Sequence, residues 1–167
     1  MKMLKVVCTS LLAAAAVQTA IAHDIVRRVA PDFPIAQSVT VPAGADLVFL
    51  SGILADAADP SAPAGSPERI GDTAAQARSV LGKIEKELAA SGLTMADIIK
   101  MNVYLVGDPA KGGVMDFAGL MSAYIKYFGN EGALPPARTT LQVAGLPVPG
   151  ALVEIEVIAA RPAEHTH

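Results

Sequence analysis

Apolar residues recur at helical spacing in two stretches of the chain and at strand spacing in five, and their order predicts the architecture. Between residues 73 and 90, Ala77, Val80, Leu81, Ile84 and Leu88 repeat every three or four positions, with Lys83, Glu85, Lys86 and Glu87 turned towards water. This is the pattern of one amphipathic helix, for which Thr73 and Gln76 read as a capping box and Ser91-Gly92 as the stop. From Asp116, the residues Phe117, Leu120, Met121, Tyr124 and Phe128 form a second helical stripe that ends at Gly129. Period-two alternation marks the strands: Gln37–Val41, Leu47–Leu50, Ile98–Val106, Arg138–Val143 and Ala151–Ile158. In the third, Ile99, Met101, Val103 and Leu105 are expected on one side. The alanine- and proline-rich run from Asp56 to Pro67 reads as an exposed loop.

The order is therefore strand, strand, helix, strand, helix, strand, strand. Two helices cover one face of such a sheet. Leu47-Val48-Phe49-Leu50 is nevertheless apolar on both faces, as is the last strand with Val153, Ile155 and Ile158. The second face needs cover as well, and a homo-oligomer is the natural supplier.

The N-terminus adds a targeting signal. Lys2 and Lys5 precede a short apolar run from Val6 to Val17, and Ala20-Ile21-Ala22 offers the small residues of a cleavage site. Residues 1–22 are expected to be a signal peptide, residues 23–162 one domain, and residues 163–167 a flexible tail. The expectation is an exported protein, periplasmic in a Gram-negative cell, with no stable membrane insertion once the leader is removed. Cys8, the only cysteine, falls in the leader, so the mature chain has no disulfide or thiolate chemistry. A histidine at the mature N-terminus, His23, can chelate copper, but it reads as a solvated end; His165 and His167 read as tail residues, and no metal site is expected. Lysines and arginines are scattered and the net charge is -3, which argues against a nucleic-acid groove.

The last quarter of the chain carries the candidate chemistry. Alternation puts Arg138, Thr140 and Gln142 on one strand face, and Glu154 and Glu156 opposite the apolar residues of the next strand. A guanidinium fork grips a carboxylate through two hydrogen bonds, and a nearby glutamate can hold or activate water. On spacing alone, a salt bridge or two solvated strand positions is the simpler account of Arg138 and Glu154.

Several separated blocks then agree with one family in order and spacing. They are Pro34-Ile35-Ala36-Gln37-Ser38, Leu47-Val48-Phe49-Leu50-Ser51-Gly52, Asp97 to Leu105, Ala123 to Gly129, Pro136-Ala137-Arg138-Thr139-Thr140 and Val153-Glu154-Ile155-Glu156. In these the sequence resembles the Rid family, also called YjgF/YER057c/UK114, from about residue 30 to Arg161. The resemblance implies an α+β, chorismate-mutase-like fold: a mixed sheet with two helices on one face, assembled as a homotrimer around a central barrel, with clefts between subunits. It also implies a cofactor-free deaminase of enamine or imine acids such as 2-aminoacrylate, giving a 2-keto acid and ammonia. Arg138 then falls on the substrate-gripping arginine, Glu154 on the acidic residue, and Ser51 with Gly52 on the Ser-Gly block. Thr140, two residues along from the arginine, can orient the water. Three positions depart from the family pattern: Ile35 replaces a tyrosine, Ile53 a glutamine, and Met121 an asparagine. Each makes the cleft more apolar and suits a substrate with a larger hydrocarbon part. The alternatives are a carboxylate-binding protein without turnover and, less well matched to an acidic chain, an endoribonuclease.

Overall fold

The computed structural model describes residues 24–64, 66–129 and 132–161. The expected leader, His23 and the 163–167 tail lie outside the described residues.

The elements follow in the order β1 (Val26–Val29), β2 (Ala36–Thr40), β3 (Asp46–Leu54), a single turn α1 (Pro67–Ile70), α2 (Thr73–Ala90), β4 (Ile98–Val106), α3 (Phe117–Phe128), β5 (Ala137–Val143) and β6 (Val153–Arg161). The main sheet has the order β3-β6-β4-β5. Its β4–β5 pair is parallel and the others antiparallel, so the sheet is mixed. The parallel pair is possible because α3 lies in the crossover between its strands. β1 and β2 form a separate antiparallel pair. Its end is tied to the main sheet where the Ala36 amide donates to Pro136 O, 3.0 Å away.

Both long helices form where the periodicity predicts them. The cap of α2 differs: Asp72 is the N-cap, accepting from the Ala75 amide at 2.7 Å, and Thr73 is the first helical residue. Asp72 is the stronger cap because its carboxylate is charged at the positive end of the helix. Gln76, freed from capping, is buried, where it donates to Gly71 O and Gly150 O and accepts from the Leu152 amide. The helix stops as expected, with Gly92 in the left-handed region at φ 68°.

The strands add two details, of which the second is a correction. β5 and β6 share a sheet, but β4 lies between them, so the turn at residues 145–150 does not pair the strands it joins. At the start of β4, a register shift between Ile98 and Lys100 puts Ile98, not Ile99, into the core.

The core lies on one face of the sheet. Val80, Leu81, Ile84 and Leu88 of α2 and Leu120, Ala123, Tyr124 and Phe128 of α3 meet Met101, Val103 and Leu105 of β4 and Val153, Ile155, Val157 and Ala159 of β6. Each large side chain so buried contributes roughly 1.5–3 kcal/mol. The other face is open. Leu47, Phe49 and Leu141 point outward there, with Phe49 69% exposed.

Candidate functional site

Arg138 sits near the start of edge strand β5, opposite Met101 of β4. Met101 is buried beneath the helices, so Arg138 projects on the helix-covered side. The prolines at 135 and 136 are buried and bring the chain to this point rigidly. Its guanidinium carbon lies 4.2 Å from the Tyr124 ring centroid, 5.5 Å from Phe33 and 5.7 Å from Phe117. Phe33 and Phe117 stack at 6.3 Å with planes 10° apart. Aromatic faces attract a cation electrostatically, and more strongly once water is excluded. Nη1 donates to the Met121 sulfur at 3.3 Å, a soft and weak acceptor.

Among the described residues no carboxylate pairs with this guanidinium. Burial pulls the pKa of Arg138 below the ordinary arginine value, partly offset by Tyr124. An arginine nonetheless keeps its charge, so what remains is a desolvated cation. Burial likewise pushes Tyr124 up to about 12, and its hydroxyl donates to Pro34 O at 2.9 Å. Tyr124 is therefore a neutral platform at ordinary pH, its hydroxyl committed to Pro34 O.

Glu154 occupies the opposite face. It alternates with the buried Val153 and Ile155, and it lies across from Leu54 of β3 and Tyr104 of β4. With β4 between their strands and the sheet between their side chains, Arg138 and Glu154 of one chain cannot form a salt bridge. The carboxylate lies over Gly52, where a Cβ would collide with Glu154 Oε1. Glycine is needed at this position for that close approach. Ser51 and Gly52 fall in the register shift of β3 between Leu50 and Ile53, and Ser51 is exposed. Ser51, Gly52 and Glu154 thus form one corner, while Arg138 and Met121 form another.

The remaining expected residues divide. Thr140 shares the Arg138 face, but its hydroxyl is sealed from solvent without a partner. Ile35 acts through its backbone: its amide donates to Phe33 O and its carbonyl accepts from the Ala30 amide, shaping the turn that presents Phe33. Ile53 packs against the core opposite Ile155, on the side of the sheet away from Glu154.

Three features escaped the sequence reading. Phe33 lies in a turn without periodicity, so no local signal marked it. Tyr124 belongs to the buried stripe of α3, but the face of its ring also carries the guanidinium, which a stripe does not reveal. The third is a network on the open face, where Asn102 Nδ2 and the Tyr104 hydroxyl donate to Glu156 Oε1 at 2.7 and 2.8 Å. These bonds, Asn102 first, hold the Glu156 carboxyl below its usual pKa, and the bond to Glu156 raises Tyr104. Alternation in β4 and β6 would have revealed that network, given their antiparallel register. Glu154 has no such side-chain hydrogen bond among the described residues, which leaves it the freer of the two glutamates.

No cluster of residues suited to a metal ion occurs among the described residues, and no helix among them is long and apolar enough to cross a membrane.

The fold and this pair of corners define a small α+β protein with a partly buried guanidinium near one sheet edge and a carboxylate on the opposite face near the other. Residues 28–161 match the family model described as Endoribonuclease L-PSP, and the chain belongs to that family, the YjgF or Rid family. It is 39% identical over 126 residues to Protein DfrA of Myxococcus xanthus, covering 75% of this chain and 84% of that protein. It is 37% identical over 90 residues to the 2-iminobutanoate/2-iminopropanoate deaminase of Escherichia coli, covering 54% of this chain and 65% of the deaminase. Among solved structures, the YjgF gene product of E. coli superposes with a TM-score of 0.53 at 34% identity, over 69% of this chain and 80% of that one. These relatives support Rid-family function, with a deaminase reading at the level of the family.

Proposed function

We propose that the protein is a cofactor-free hydrolytic deaminase of enamine and imine acids, acting after export as a homotrimer around a central barrel. The observation that carries the reading is the Arg138 guanidinium: partly buried, seated on three rings, and paired with no carboxylate among the described residues. A desolvated cation of this kind attracts an organic anion far more strongly than a solvated one does. The similarity to an imino-acid deaminase supplies the class of anion.

In the proposed reaction Arg138 holds the substrate carboxylate. An enamine takes a proton on its β-carbon and becomes an iminium. Water then adds its oxygen to the iminium carbon while Glu154 accepts a proton from it. Glu154 returns that proton to the nitrogen of the resulting carbinolamine, the carbon–nitrogen bond breaks as the hydroxyl oxygen gives up its own proton to water, and ammonia leaves with the 2-keto acid behind. The protonated imine carbon is already electrophilic, so positioning and proton transfer suffice without a metal or organic cofactor. Because Arg138 and Glu154 of one chain lie on opposite faces of the sheet, the reading requires the glutamate, with Ser51 as a polar wall, to come from a neighbouring copy. The exposed apolar residues of the open face support such an assembly. Met121 and the aromatic residues around Arg138 favour a substrate with more hydrocarbon than 2-aminoacrylate.

The test is ammonia release from imino acids generated in situ. Arg138→Ala is expected to lower it on the order of 100-fold or more with the melting temperature retained. Co-expressing Arg138→Ala with Glu154→Gln separates shared from private sites. Random assembly places an intact arginine beside an intact glutamate in about a quarter of clefts, so activity returns to roughly that fraction. Unchanged release in Arg138→Ala would overturn the reading. Absence of recovery on co-expression would overturn the shared cleft. Carboxylate binding that depends on Arg138 without any ammonia release would establish the alternative, a binding protein.

A further inference from the structure

Of the three rings around Arg138, Tyr124 is fully buried and Phe117 half-buried, but Phe33 remains 39% exposed. Its backbone is not loose. The Ala30 amide donates to Ile35 O at 2.9 Å, the Ile35 amide to Phe33 O at 2.7 Å, and the Tyr124 hydroxyl to Pro34 O at 2.9 Å. The turn is therefore fastened on both sides of a ring that itself faces outward. The ring also lines a 650 Å³ groove together with Pro34, Ile125, Phe128 and Leu134, so it is not a plug in the core. A fixed backbone with an exposed aromatic side chain beside an anchoring cation is the arrangement of a recognition element.

Resting on the reading that Arg138 anchors an acid, we propose that Phe33 is a specificity-determining residue: its ring is the wall against which the side chain of the anchored imino acid packs. The substrate class is then 2-imino acids with branched or extended apolar side chains, in preference to the methyl-bearing 2-iminopropanoate. Both parts of such a molecule have a place. Its carboxylate meets the guanidinium, and its hydrocarbon part lies along the Phe33–Phe117 stack, where it is removed from water. A methyl side chain is too short to gain much from the same surface.

The experiment measures binding of three 2-keto acids, the stable products, by calorimetry: pyruvate, 2-oxobutanoate and 4-methyl-2-oxopentanoate. The wild type is expected to bind the branched acid most tightly. Phe33→Ala should weaken that acid about tenfold and pyruvate less than about twofold, and Phe33→Leu should recover most of the loss. Thermal melting confirms that each variant is folded, which the exposure of the ring leads one to expect. The proposal is overturned if Phe33→Ala weakens all three acids equally, or none of them, while Arg138→Ala still abolishes binding. If the wild type binds none of the acids in an Arg138-dependent way, the anchoring role falls first and this proposal falls with it.

Discussion

The two corners of the sheet are built in opposite ways. Around Arg138 the protein surrounds a charge with rings and a thioether, under helix α3 and beside the turn at Phe33. Around Glu154 it leaves a carboxylate on an uncovered face, beside an exposed serine and over a glycine. The first corner is complete within one chain. The second lies open in a single chain. The difference teaches that one chain fixes its guanidinium by packing but keeps it on the face of the sheet opposite the carboxylate; only on the proposed reading does a second copy bring the two together. The open face is the place to break the comparison.

The largest effect is expected from Phe49→Asp. Phe49 is 69% exposed on the open face, opposite Ile158 of β6. On the proposed reading it is buried between copies, and each copy would then bring an unpaired carboxylate into the joint, at a cost of several kcal/mol. Light scattering should report the single-chain mass, and deaminase activity should vanish with the assembly. An unchanged mass for the wild type and the variant would mean that this face makes no joint between copies.

Gly52→Ala tests the second corner without touching the first. The added Cβ meets the end of the Glu154 side chain, which can swing aside, so the fold should survive. The carboxylate would no longer lie where the glycine lets it rest. Turnover is expected to fall about tenfold or more while the affinity for a 2-keto acid changes less than about twofold. Equal losses in both would show that the glycine shapes the anchor as well.

The two corners were unequally legible in the sequence, for a physical reason. Alternation reports which residues of a strand share a face, and it placed Arg138, Thr140, Glu154 and Glu156 correctly. It says nothing about which strands are neighbours. The insertion of β4 between β5 and β6 follows from packing of the whole sheet, and with it the separation of Arg138 from Glu154. The helices were legible because their stripes are long; the cap was not, because Asp72 and Thr73 are adjacent and both can serve. Phe33 was invisible because an irregular turn has no period. The side chains it meets, Phe117 and Arg138, stand 84 and 105 positions further along the chain.

The dry corner gives a prediction at high pH. The Tyr124 pKa is raised from 10.0 to about 12 in the folded protein, chiefly by burial. A raised folded value means that its contribution is fully present below the unfolded value near 10 and is lost as pH climbs towards 12. The loss is about 2 kcal/mol at the upper end of that window. Tyr124→Phe has no such titration, but it gives up the hydrogen bond to Pro34 O, worth about 1 kcal/mol. Stability curves from urea unfolding should therefore cross: the variant is less stable at pH 7 and more stable near pH 12. Parallel curves would mean that the ring is already wet.

The smallest effect belongs to Glu156, on the open face. Asn102 and Tyr104 lower its pKa, and a depressed folded value stabilises above the unfolded carboxylate value and is lost as pH falls through the folded one. In a lone chain this network stands in water, solvent screens it, and acidification should change unfolding very little. Laid against another copy, the same three groups lose that screening, and protonation of Glu156 takes away the charge that strengthens the two bonds its oxygen accepts. Acidification should then loosen the assembly before it unfolds the chain. Light scattering between pH 6 and pH 3 reads this as a fall in mass, and Glu156→Gln, which cannot take up that proton, should shift or abolish the fall. A mass that falls only together with the loss of secondary structure would place the network outside the joint, and would leave the open face with apolar contacts alone to hold the copies together.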